Sequence, residues 1–113
     1  MATESLIDTD AGAGMKLCNV DDLKPGEMMR FEPDGMDPIL LCNDGGVFRL
    51  VEDECTHAIA SLSEGRLEGH ILFCPLHGGS FDIRTGKAAS LPCKMALNTY
   101  DVEIRGGEVW MID

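Results

Sequence analysis

The sequence predicts an all-β domain, an antiparallel sandwich or barrel of short strands. Three observations carry that prediction. Tyr100, Val102 and Ile104 alternate with Asp101, Glu103 and Arg105, the period-two pattern of a strand with one buried face. Asn43-Asp44-Gly45-Gly46 and Arg105-Gly106-Gly107-Glu108 are turn signals of the kind that close β-hairpins, because their residues tolerate positive φ. Helical periodicity is weak everywhere, and only residues 58–65 read as a turn or two of helix.

In chain order, residues 1–14 mix Ala, Gly, Thr and Asp around Leu6-Ile7 and read as a flexible tail. The domain proper is expected over residues 15–113. Pro25-Gly26 turns the chain after a brief segment at 21–23. Strands are expected over 27–32, 39–42 and 47–51, the last two joined by the Asn43–Gly46 turn. Two more are expected over 70–73 and 81–84, with Thr85-Gly86-Lys87 turning the chain after them. The alternating segment from Tyr100 then pairs with Val109 and Met111 across the second Gly-Gly turn.

Bulk composition narrows the function classes. A chain of 113 residues suits one domain, and 44% hydrophobic against 26% charged residues describes a folded globule, not a disordered segment. Runs such as Ile71-Leu72-Phe73 are far too short to span a bilayer. The formal net charge of -11 repels a phosphate backbone, so nucleic acid is not an expected partner. Residues 1–14 carry neither a basic region nor an apolar core, so a cytoplasmic location is expected. Five cysteines are an odd number for a disulfide framework, and metal binding becomes the better use for some of them.

The chemistry concentrates in two mixed pairs. Cys55 and His57 flank Thr56; after sixteen intervening residues come Cys74 and His77. Each pair follows an apolar strand, so each sits in a loop at a strand end. Thiolate and imidazole together suit borderline-soft metals such as zinc and iron. Two Cys and two His close a tetrahedral zinc site or hold a [2Fe-2S] cluster with two Cys on one iron and two His on the other. A zinc finger usually pairs Cys with Cys and His with His. A mixed pair on each loop suits two loops that grip a dinuclear cluster from both sides. A structural zinc-binding interaction module stands as the reading from a different class.

These residues, Cys55-Thr56-His57 with Cys74-Pro75-Leu76-His77-Gly78-Gly79, resemble the Rieske motif. The stretch LSEGRLEGHILFCPLHGGSFDIRTGKA, residues 62–88, is similar to the small bacterial Rieske ferredoxins of aromatic-ring-hydroxylating dioxygenase systems. The Leu23–Glu27 turn and the C-terminal hairpin fit the same family. The resemblance implies a Rieske fold, in which a sandwich or barrel base carries a small cluster-binding subdomain built from loops at about 53–92. It implies one [2Fe-2S] cluster ligated by Cys55, His57, Cys74 and His77. It places Leu76, Gly78, Gly79 and Pro92 around that cluster, Pro92 in a third covering loop at Ser90-Leu91-Pro92-Cys93. Gly78 and Gly79 lack a Cβ, which lets backbone N–H groups approach the cluster's sulfurs.

Departures from high-potential relatives set a further expectation. Respiratory Rieske proteins add a disulfide-forming cysteine to each loop, where this chain has Ala60 and Leu76. They place hydroxyl donors where this chain has Gly79 and Phe81. Fewer donors to the sulfurs stabilise the reduced cluster less, so the potential is expected near about −150 mV. Of the other cysteines, Cys18 and Cys42 read as buried thiols, and Cys93, in a loop, as a candidate for exposure. His70 reads as a surface or rim residue.

The family likeness implies a soluble one-electron carrier and no catalytic activity of its own. It would pass electrons from a flavin-dependent reductase to a terminal oxygenase carrying Rieske and non-haem iron. No flavin or nicotinamide fingerprint and no second metal set are present. The alternative partner assignment is an assimilatory nitrite reductase, whose small subunits have similar domains. A monomer is expected, with acidic charge steering it to basic partner surfaces.

Overall fold

The computed structural model describes residues 14–56, 59–76 and 78–112. In chain order its strands are β1 (Met15–Asn19), β2 (Met28–Phe31), β3 (Ile39–Asp44), β4 (Val47–Glu52) and β5 (Arg66–Glu68). They continue with β6 (Ile71–Phe73), β7 (Ser80–Asp82), β8 (Ala88–Ser90), β9 (Thr99–Arg105) and β10 (Glu108–Ile112). Single-turn 3-10 helices occupy Val20–Asp22 and Leu62–Glu64. A six-stranded sheet has the order β1-β10-β9-β4-β3-β2, and a four-stranded sheet the order β5-β6-β7-β8. All these pairings are antiparallel. Among the described residues no helix is long and apolar enough to cross a membrane.

Both sequence-predicted hairpins form, and both use a bare Gly-Gly loop. Asp44 lies opposite Val47 with Gly45 and Gly46 between them, and Arg105 opposite Glu108 with Gly106 and Gly107 between them. The four glycines have φ of 61°, 103°, 54° and 80°. Positive φ at both loop positions gives a twist that matches the flanking strands, and a Cβ disfavours it.

β3 is buried at all six positions. Alternation sends its side chains to two different cores. Leu40 and Cys42 join Val51, Leu62, Leu72, Phe81, Ile83 and Leu97. Ile39 and Leu41 join Cys18, Leu23, Leu50 and Val109. The first core underlies the cysteine-bearing loops; β1 and β10 help to close the second. Each fully buried Leu or Phe contributes about 1.5–3 kcal/mol. The turn after β7 is also tied to β3 by charge, because buried Asp44 at the end of β3 accepts from Arg84 Nε at 2.8 Å.

Several expected boundaries shift for local reasons. The strand expected over 81–84 stops at Asp82. There the Asp82 carboxylate accepts from Arg84 N at 2.8 Å, and its carbonyl accepts from Gly86 N at 2.7 Å, which curls the chain into a turn. Of the helical turn expected over 58–65, the described residues keep Leu62–Glu64 as a 3-10 helix. β1, β5 and β8 lie outside every strand expected from the sequence.

Candidate metal centre

Two loops carry the predicted cysteines, and they are closed in the same way. β4 leads into residues 53–65, where Glu54 and Ser61 form a β-bridge and Cys55 N donates to Ala60 O at 3.0 Å. β6 leads into residues 74–79, where Cys74 N donates to Gly79 O at 2.8 Å. In each loop the cysteine N–H reaches the carbonyl five residues on. The similarity starts from strand position, since each cysteine lies shortly after a strand that feeds the same core.

The loops converge. Cys55 and Cys74 are 4% exposed each, and their side chains interact. Burial pushes the Cys74 thiol up, while the Leu76 backbone N–H, donating to its sulfur, opposes that shift. The Leu76 contact is therefore through its main chain; its side chain stands out, 41% exposed. His57 and His77, the other two expected ligands, lie outside the described residues. Among the described residues no cluster of three or more His, Cys, Asp or Glu has metal-holding geometry.

Asp53 fixes the root of the first loop. It is 2% exposed and accepts from Arg30 Nε at 2.9 Å, Ser63 N at 2.9 Å and the Ser61 hydroxyl. These contacts hold both ends of the loop to β2. Sequence reasoning missed Asp53; its position between an apolar strand and the cysteine was the available signal.

The third loop, residues 91–98, covers the other two. Thr56 Oγ1 donates to Met95 O at 2.8 Å, and Leu97 N donates to Gly86 O at 2.7 Å. Pro92 follows a cis peptide bond and packs toward Gly79. Cys93 corrects the expectation of an exposed thiol: it is 2% exposed, with its sulfur 3.9 Å from that of Cys55. Gly79 has a steric reason beyond the expected one. A Cβ there would lie 2.3 Å from Cys93 Sγ and 3.2 Å from Cys93 N, so its missing side chain makes room for the third loop. His70 is partly exposed in the turn between β5 and β6, and Cys18 and Cys42 are buried. Burial pushes the Cys42 thiol up to about 12, which leaves it a neutral thiol at neutral pH. No disulfide forms among the described cysteines.

Two buried cysteines brought together from separate loops, with a backbone N–H on one sulfur, fit the thiolate half of an iron–sulfur site. Four apolar side chains stand out from the three loops: Ile59, Leu76, Leu91 and Met95, the first of them 94% exposed.

Comparison with known proteins agrees with this geometry. The family profile described as the Rieske [2Fe-2S] domain matches residues 13–101. The biphenyl 2,3-dioxygenase ferredoxin component of Rhodococcus jostii (strain RHA1) is 49% identical over 94 residues, covering 83% of this chain and 87% of the relative. Ferredoxin CarAc of Metapseudomonas resinovorans is 43% identical over 97 residues, covering 86% and 91%. A chain of the solved complex of reduced oxygenase and oxidized ferredoxin in carbazole 1,9a-dioxygenase superposes with a TM-score of 0.85. It is 42% identical, with 88% of this chain and 92% of that chain covered. Two antiparallel sheets, two matched cysteine loops and a profile spanning most of the sequence lead to one assignment: the chain belongs to the Rieske [2Fe-2S] family and has its all-β fold.

Proposed function

We propose that this protein is the ferredoxin component of an aromatic-ring dioxygenase system. It carries one electron at a time from a flavin-dependent reductase to a terminal oxygenase. The observation that carries the reading is the convergence of Cys55 and Cys74 from two loops closed alike, in a chain 49% identical to the biphenyl dioxygenase ferredoxin component. Cys55, His57, Cys74 and His77 are the proposed ligands. A Rieske cluster, when bound, supplies reversible one-electron transfer. The domain proposed to hold it is residues 15–113.

The chain's own residues do the positioning. Asp53 fixes the first loop, the Leu76 N–H stabilises charge on the Cys74 sulfur, and the third loop holds Cys93 against the Cys55 sulfur. Ile59, Leu76, Leu91 and Met95 form the proposed docking face around the ligand loops, where apolar side chains are otherwise hard to account for. The five cysteines, none in a disulfide among the described residues, suit a reducing compartment, and the cytoplasm is the proposed setting.

The test has two arms. Anaerobically purified protein is assayed for iron, sulfide, visible absorption and an EPR signal on dithionite reduction. Two irons and two sulfides per chain with a Rieske-type signal are expected; a colourless protein with stoichiometric zinc would sink the reading. In the second arm, a flavin reductase and a dioxygenase oxygenase are coupled through the protein. Ile59→Asp and Leu91→Asp are expected to slow electron flow while leaving the spectrum unchanged. Transfer to a nitrite reductase instead of an oxygenase would overturn the partner assignment.

A further inference from the structure

Cys93 is a buried sulfur group that the proposed ligand set does not use. Its sulfur lies 3.9 Å from that of Cys55, a sulfur–sulfur hydrogen-bond distance. The contact is built from several sides. Gly79 leaves the space that Cys93 Sγ occupies, since a Cβ there would come within 2.3 Å of it. Cys93 N donates to Ser90 O at 3.2 Å. The Ser90 hydroxyl pairs with that of Ser80 at 2.7 Å and donates to Gly78 O at 3.3 Å. Thr56 Oγ1 pins Met95 O on the other side. The third loop is thus tied to both cysteine loops, with one thiol at the junction.

The direction of the hydrogen bond follows from ligation. A coordinating cysteine is deprotonated and has no proton to give. If Cys55 binds iron, Cys93 alone of the pair can donate. A donor to a ligand sulfur stabilises the more negative, reduced state more than the oxidised one, and so raises the reduction potential. Gly79 and Phe81 offer no side-chain hydroxyl, so one thiol donor has a proportionately large share in this chain.

We propose that Cys93 is a positioning residue for electron transfer, whose S–H donates to the Cys55 sulfur and sets the cluster's reduction potential. This rests on the cluster assignment above and adds a residue to it.

Three measurements test it, and they separate the two readings. Cys93→Ala is expected to keep two irons and two sulfides per chain and a Rieske-type EPR signal. Its electron affinity should fall roughly three- to tenfold, which is about 30–60 mV at 59 mV per tenfold for one electron. Cys93→Ser, which restores a proton donor, is expected to recover part or all of that loss. An unchanged or higher potential in loaded Cys93→Ala overturns the proposal, and so does a Cys93→Ser potential no higher than that of Cys93→Ala.

A space-filling role alone would move cluster yield and leave the potential in place. Should neither variant load, the wild-type protein decides through its redox-difference infrared spectrum. An S–H stretching band that shifts to lower frequency on reduction and moves to the S–D region in deuterated buffer is expected. A spectrum without it overturns the role of Cys93. Wild-type protein that holds no iron or sulfide instead overturns the cluster assignment beneath it.

Discussion

Gly79 shows how much one absent side chain can decide. In the sequence it reads as a residue that lets N–H groups approach sulfur. In the fold its Cβ position is taken up by Cys93 Sγ at 2.3 Å, with Pro92 Cδ at 3.3 Å behind it. Contacts this short force something to move, and Cys93 is too enclosed to swing away. Gly79→Ala should therefore lift the third loop and cost about 1–3 kcal/mol, the usual range for overpacking. Bleaching of the visible absorbance on heating should occur at lower temperature in this variant. Gly79→Ala with Cys93→Ala should recover part of the loss, because the closest atom is gone. A single variant that bleaches at the wild-type temperature would show that the loop yields freely.

At the scale of elements, the two cysteine loops are hairpin-like connections whose geometry depends on their roots. Asp53 is the root of the first. Replacing it with Ala leaves the half-buried Ser63 N–H unmet and the Ser61 hydroxyl with the Ser63 hydroxyl as its partner, at about 1 kcal/mol, the low end of the range for unmet groups. Arg30 is partly exposed and can turn to water, so its charge adds little. Asp53→Ala should lower thermal stability and release iron faster to a chelator; unchanged release would remove Asp53 as the anchor.

What the sequence disclosed at this scale follows from physics. The Gly-Gly hairpins were legible because only residues at ease with positive φ close such turns. The Cys55 and Cys74 loops were legible because their residue types repeat. β5 and β8 were not legible: at three residues each they are too short to show a period. Gly65 was silent for another reason. A Cβ there would sit 1.8 Å from Phe73 O, a demand made by β6 across space that no local pattern encodes. The burial of Cys93 was hidden in the same way, since a loop sequence does not reveal what lies over it.

At the scale of the whole molecule, two electrostatic features act at different ranges. The short-range one joins β3 to the turn after β7. Asp44 is held below the ordinary carboxylate value, about 3.9, chiefly by the hydrogen bond from Arg84, with Arg49 Nε at 3.4 Å adding to it and burial opposing it. A carboxylate whose pKa falls on folding contributes stability that is present above its unfolded value and lost as pH drops through its folded one. Arg84→Ala should therefore lower the melting temperature at pH 7, with the gap to wild type closing below about pH 4 as Asp44 protonates in both proteins. A gap that stays constant down to pH 3 would mean Arg84 acts through packing alone.

The long-range feature is the net charge of -11. A carrier must find two partners and leave each quickly, so encounter rate matters more than residence time. A surface of one sign raises encounters with a complementary surface by about 10- to 1000-fold and leaves short-range contacts to fix orientation. On this protein the exposed apolar residues Ile59, Leu91 and Met95 lie on the cysteine loops and the loop over them, while most of the acidic residues lie elsewhere in the chain. The two can therefore be separated by salt. Between 0.01 and 0.1 M ionic strength the screening length falls from about 30 to about 10 Å, which removes steering but leaves apolar docking intact. The second-order rate of electron delivery to an oxygenase, followed by stopped flow, should fall steeply over that range, while the limiting rate inside the complex stays level. A second-order rate independent of salt would leave the acidic surface with solubility as its sole role.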